Sequence, residues 1–156
     1  VASSEVSQPV ATQPNASANP FNQEAGLTRI RVHTAAPLEK RYAYCRAVRA
    51  GNLVFVTGTV AITSDGKPFA PGDHGAQAAR ALEIIAGALK EAGSDISDVV
   101  RTRMFVTGMN PAVQDAVGES HRAVFADFPP ATSMIGVAAL VDPAFVVEIE
   151  ADAVVG

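Results

Sequence analysis

The chain predicts an α+β fold, a mixed β-sheet covered on one face by two helices. One observation is the order of its patterns: strand, strand, strand, helix, strand, helix, strand, strand. Two helices that connect strands, with hairpins expected at both ends, imply a mixed sheet. The second is composition. In 156 residues, 48% are hydrophobic, enough for one core, and only 18% are charged, so much of the surface is expected to be covered. The third is the last apolar run, where Val147, Ile149, Ala151 and Ala153 alternate with Glu148, Glu150 and Asp152. Side chains alternate along a strand, so one face is apolar and the other carries three carboxylates.

Residues 1–27 are Ser, Ala, Pro, Gln and Asn with few bulky apolar residues. They cannot bury enough surface to offset their ordering entropy and are expected to form a flexible leader. Residues 28–156 then form a single domain. The leader contains no positively charged segment followed by an apolar stretch. A cytoplasmic location is expected, with export left open by the leader. Asn15-Ala16-Ser17 fits a glycosylation sequon.

Arg29–Thr34 alternates and predicts a first strand. Arg41–Val48 predicts a second and Asn52–Ala61 a third, joined by a turn at Ala50-Gly51-Asn52. Ser64-Asp65-Gly66-Lys67-Pro68 ends that strand. Residues 76–92 predict a helix, with Ala78, Leu82, Ile85 and Leu89 at helical spacing and Ala81, Ala88 and Ala92 broadening the stripe. Asp73 is its expected N-cap and Gly93 follows its end. Ser97–Thr107 predicts the next strand, with Val100, Thr102, Met104 and Val106 on one face and Arg101, Arg103 and Phe105 on the other. Asn110-Pro111 starts a second helix, with Val113, Val117, Val124 and Phe128 near one stripe. Phe128-Pro129-Pro130 ends it. Two final strands flank Val141-Asp142-Pro143.

Both helices on one face leave the other face open. Apolar residues there, with Arg101 and Arg103 able to meet Glu148 and Glu150, predict self-association through that face. Several function classes are disfavoured. The net charge of -4 gives no basic footprint for nucleic acid. No apolar run reaches membrane-spanning length. Cys45 is the single cysteine, and His33, His74 and His121 lack metal-ligand spacing. With no Gly-rich phosphate loop either, no metal or other cofactor is expected.

Ala50-Gly51-Asn52-Leu53-Val54-Phe55-Val56-Thr57-Gly58, Gln77 to Gly93, Asp98-Val99-Val100-Arg101-Thr102 with Phe105-Val106, and Pro130-Ala131 followed by Val147-Glu148-Ile149-Glu150-Ala151 occur in this order. In that order and spacing they resemble the Rid family, also called YjgF/YER057c/UK114, over roughly residues 42–155. The resemblance implies a chorismate-mutase-like fold, a homotrimer, and a site between subunits. It implies hydrolysis of reactive enamines and imines to a keto acid and ammonia. By position, Glu148 becomes the residue that orients the attacking water, together with a backbone carbonyl near Met134. Tyr44 and Thr57 line the pocket. The family's carboxylate-binding arginine position is Thr132, and a family asparagine position is Gly118. A threonine hydroxyl cannot supply a charge-assisted, bidentate contact. The chain therefore resembles the arginine-lacking subgroups, with Arg103 or His121 as candidate substitutes.

Each role has a plain alternative. Glu148 and Arg103 could be members of structural ion pairs. His121 could lie on a helix surface, Tyr44 could be an interface aromatic, and Thr57 and Thr132 could be ordinary strand threonines. The expected function is an imine or enamine hydrolase acting on a small molecule, and the alternative is a non-catalytic trimer that binds a metabolite or a protein.

Overall fold

The computed structural model describes residues 28–34 and 36–156; the expected leader and the Asn15 sequon lie outside the described residues. The elements are β1 (Arg29–Val32), α1 (Pro37–Tyr42), β2 (Ala47–Ala50), β3 (Leu53–Val60), α2 (His74–Glu91), β4 (Val99–Thr107), α3 (Pro111–Phe125), β5 (Ala131–Val137) and β6 (Val147–Val154). The strands form one six-stranded sheet in the order β1-β2-β3-β6-β4-β5. The β4–β5 pair is parallel and the other neighbours are antiparallel. The sheet is mixed, as predicted.

Helix α2 starts where Asp73 accepts a hydrogen bond from the Ala76 N–H at 2.9 Å. Its predicted stripe, Ala78, Ala81, Leu82, Ile85, Ala88 and Leu89, is buried against the sheet. Helix α3 begins at Pro111, capped by Asn110, which accepts from the Val113 N–H at 3.1 Å. Val117 and Phe125 join the same core, with Val113, Val124 and Phe128 packed at its margin. Each fully buried Leu, Ile or Phe side chain contributes about 1.5–3 kcal/mol to folding. The facing strand residues Val54, Met104, Val106, Ile149 and Ala151 complete this layer.

Gln77 is a polar residue inside it. Its Nε2 donates to the carbonyls of Phe69 (3.0 Å), Ala70 (3.2 Å) and Ala144 (2.8 Å), while its Oε1 accepts from the Val146 N–H (2.9 Å). One buried amide therefore ties the loop before α2 to the loop before β6.

The structure corrects four local expectations. The strand expected over Arg41–Val48 is instead the helix α1 followed by β2. Ala43 terminates α1 in the left-handed region, φ 57°, and its N–H bonds the Glu39 carbonyl. A further stabilising contact is the buried Glu39 carboxylate, which accepts from the Thr34 N–H (2.8 Å) and hydroxyl (2.6 Å). The strand expected from Ser97 is preceded by a 3₁₀ turn, Ile96–Asp98, closed by a capping box between Asp95 and Asp98. Val100 does not share a face with Thr102. The β4–β6 register shifts between Val99 and Arg101, which buries Val99 and leaves Val100 48% exposed. The last two strands are not a hairpin either. β5 takes the sheet edge beside β4, and β6 inserts between β3 and β4. No described helix is long and apolar enough to cross a membrane.

Candidate functional site

β6 carries the candidate catalytic residue, Glu148, in the interior of the sheet between β3 and β4. Val147, Ile149 and Ala151 are fully buried towards the helices. Glu148, Glu150 and Asp152 therefore point to the other face, as the alternation predicted. Arg103, on neighbouring β4, meets two of them. Its Nη1 lies 3.3 Å from Glu150 Oε2 and its Nη2 3.0 Å from Asp152 Oδ2. The guanidinium is thus engaged within the chain, and the two carboxylates hold it firmly protonated. Arg103 thus pairs with Glu150, as expected, while among the described residues of one chain neither Arg101 nor Arg103 pairs with Glu148.

Glu148 has no hydrogen-bond or salt-bridge partner among the described residues. Burial, followed by repulsion from Glu150, raises its carboxyl above the ordinary carboxylate range, while Arg46 pulls the other way. Its seat is a β-bulge. Val56 faces Ala151 and Thr59 faces Ile149, so Thr57 and Gly58 together oppose one residue of β6. The Glu148 carboxylate leans over Gly58. A Cβ at Gly58 would stand 2.9 Å from the Glu148 carboxyl carbon and closer still to Oε1. Thr57, expected to line the pocket, sits in this bulge, and its N–H donates to the Arg46 carbonyl at 3.1 Å.

A second group lies on the helix-covered side. Thr102 and Thr132 are register partners on β4 and β5, with their hydroxyl oxygens 2.9 Å apart. His121 Nε2 from α3 lies 3.0 Å from the Thr102 hydroxyl and 3.4 Å from that of Thr132. The imidazole packs on Phe125 at 4.5 Å between ring centroids, and burial lowers its pKa. This side is therefore a neutral hydrogen-bonded triad. Met134 is partly buried in the same direction, against the core.

Within one chain, then, Glu148 and Thr132 point to opposite faces of the sheet. Glu148 shares its face with Phe105 and Arg103; Thr132 shares the other with Thr102. Tyr44 belongs to a third place. With Cys45, Arg31, His33, Glu39 and Lys40 it lines a cavity of about 740 Å³ beside α1. Burial raises the Cys45 thiol pKa, so the sulfur stays protonated. No group of three or more potential metal-ligating side chains occurs among the described residues.

Arg46 was missed from sequence. It is 8% exposed, and its Nη1 donates to the Gly58 carbonyl at 3.3 Å and the Thr59 hydroxyl at 3.2 Å. The signal that could have found this place is Gly58 itself, since a lone glycine within a strand marks a bulge or a close approach.

Comparison with known proteins places these features in a family. The sequence model described as endoribonuclease L-PSP matches residues 34–155. The structure of Rv2704 from Mycobacterium tuberculosis, a member of the YjgF/YER057c/UK114 family, is similar with a TM-score of 0.72 and 42% identity, covering 82% of this chain and 100% of that one. The RutC family protein UK114 of Drosophila melanogaster is 33% identical over 130 residues, 83% of this chain and 92% of its own length. The 2-iminobutanoate/2-iminopropanoate deaminase of Mus musculus is 33% identical over 113 residues, 72% of this chain and 82% of its own.

Proposed function

This chain belongs to the endoribonuclease L-PSP family, the YjgF/YER057c/UK114 proteins, and from that premise we propose that it is an imine or enamine deaminase working as a homotrimer. The observation that carries the reading is Glu148: a half-buried carboxylate without a partner among the described residues, on the open face of the sheet, in a family that includes imine deaminases. A carboxylate held above its ordinary pKa is suited to accept a proton from water.

In the proposed reaction, Glu148 and a backbone carbonyl near Met134 orient a water. Its oxygen bonds to the imine carbon as a proton passes through Glu148 to the nitrogen. In the resulting aminoalcohol the hydroxyl proton passes by way of Glu148 to the nitrogen, the oxygen forms the C=O bond as the C–N bond breaks, and the electron pair leaves with nitrogen as ammonia, giving a carbonyl product. No oxidant is required. The division of Glu148, Tyr44 and Thr132 among separate places in one chain supports a site completed by a second copy. The exposed apolar residues Phe55 and Ile135 on the open face support such contact.

The test generates 2-iminopropanoate or 2-iminobutanoate in situ and follows keto-acid release. Acceleration by the wild type that Glu148→Gln abolishes supports the proposal. No acceleration by the wild type rejects this substrate class.

A second reading is a non-catalytic trimer that binds a metabolite or a protein. It is favoured by the neutral triad at Thr132 together with the prior engagement of Arg103, which leave neither candidate as a free cation for a substrate carboxylate. A stabilising small molecule in a thermal-shift screen, without turnover, would support it.

A further inference from the structure

Arg46 is unusual in being buried with an unsatisfied donor. Its Nε is the single buried side-chain nitrogen or oxygen without a partner among the described residues. Such groups are costly and call for a reason. The remaining contacts of the guanidinium point in two directions. Nη2 lies 3.7 Å from Oε1 of the buried Glu39, whose carboxylate is itself fastened to Thr34. Nη1 reaches the bulge of β3, at the Gly58 carbonyl and the Thr59 hydroxyl. The Thr59 hydroxyl in turn donates to the Thr57 carbonyl at 2.8 Å, closing the bulge on itself. The Glu148 carboxylate rests on the same Gly58, where a side chain would otherwise stand.

We propose that Arg46 is a positioning residue for Glu148, acting through the Gly58 bulge, with Glu39 bracing the guanidinium from behind. The proposal rests on Glu148 being the water-orienting group. A bulge residue lacks the regular ladder hydrogen bonds that fix its neighbours. An arginine fork supplies directional contacts in their place, and Gly58 brings the carboxylate close to the backbone because it has no side chain. The groups facing Glu148 are Glu150 on its own strand, Arg46 beside β2, and the uncharged Val60 and Phe105 at its register positions. Arg103, the other nearby cation, is held by Glu150 and Asp152. Arg46 is therefore the cation through which the seat of Glu148 is set.

The experiment uses the full chain with carbon-13-labelled glutamate. The Glu148 carboxyl is assigned by its loss in Glu148→Gln and titrated in wild type, Arg46→Lys, Arg46→Gln and Gly58→Ala. We expect its titration to move upward in Arg46→Gln. Arg46→Lys should be intermediate, since it retains the charge without the fork. In Gly58→Ala, where Arg46 still has its backbone carbonyl, the new methyl group should displace the carboxylate and alter its titration. In the deaminase assay kcat should fall about tenfold to a hundredfold with KM nearly constant, the size expected for a misplaced catalytic group. Glu148 titrating as in wild type in the folded variants, whatever their melting temperatures, overturns the proposal. If Arg46→Gln does not fold, Arg46→Lys and Gly58→Ala decide it by the same titration. If the wild type releases no keto acid, the deaminase reading fails, and the titration still decides whether Arg46 sets Glu148.

Discussion

The two faces of the sheet are made by the same strands and obey different rules. Towards the helices, β3, β4 and β6 present Val54, Val56, Met104, Val106, Ile149 and Ala151, all closely covered. The polar groups there include Gln77, with four hydrogen bonds, and the Thr102–His121–Thr132 triad. On the other face the strands carry Phe55 and Ile135 in the open beside Glu148, Glu150, Asp152 and Arg103. The first face satisfies its polar groups within one chain. The second leaves apolar area uncovered and one carboxylate without a partner. Alternate residues of one strand can thus be divided between holding the fold and offering chemistry.

Glu148→Gln sharpens that contrast most. Activity should drop by about 10² to 10⁴, the usual contribution of a positioned acid or base, measured as keto-acid release. Stability should move the opposite way. Because the folded-state pKa of Glu148 is raised, its favourable contribution is complete below the unfolded pKa and is lost as pH rises through the folded value. Near neutral pH the glutamine variant should therefore melt no lower than the wild type, and the difference should shrink on acidification. A large loss of melting temperature at neutral pH would mean Glu148 is structural.

Gln77→Leu attacks the covered face. It deprives three carbonyls and the Val146 N–H of their partner, and should cost about 3 kcal/mol or more by urea unfolding. A nearly neutral result would show that water reaches this amide.

His121→Gln tests the neutral triad. The folded-state pKa of His121 is lowered, so its contribution is complete above the unfolded value and is lost as pH falls through the folded one. Melting measured while pH is lowered from 7 to 5, by about two units, should weaken the wild type more than the variant. Parallel curves would remove His121 as the source.

Arg103→Met should do least. A half-exposed ion pair contributes little to stability, and because this guanidinium is already engaged by Glu150 and Asp152, keto-acid release should change far less than in Glu148→Gln. A comparable loss of activity would return Arg103 to the site.

Much of this division was legible in sequence, for a physical reason. The stripe of α2 and the alternation of β6 are periodic, and periodicity survives without knowledge of neighbours. What failed depended on neighbours or on one dihedral angle. Tyr42, Tyr44 and Arg46 alternate well enough to suggest a strand, yet Ala43 turns left-handed and ends a helix there. Val100 was assigned to the core face because a bulge in β4 breaks the alternation without changing composition. The faces of Glu148 and Arg103 follow from alternation, but that of Thr132 depends on how β5 pairs with β4, so its separation from Glu148 emerges only with the register. Arg46 reads as a surface arginine until Glu39, Gly58 and Thr59 are brought around it.

The place of β6 also bears on how the protein is made. The last strand of the chain lies in the interior of the sheet, between β3 and β4. During synthesis the first three strands and β4–β5 can exist only as two incomplete halves, each with an unpaired edge where β6 belongs. Exposed edges of that kind invite pairing with other chains, and contacts between distant segments form slowly. The sheet is therefore complete only once β6 has been made and has inserted between its neighbours, and until then both of those edges stay open.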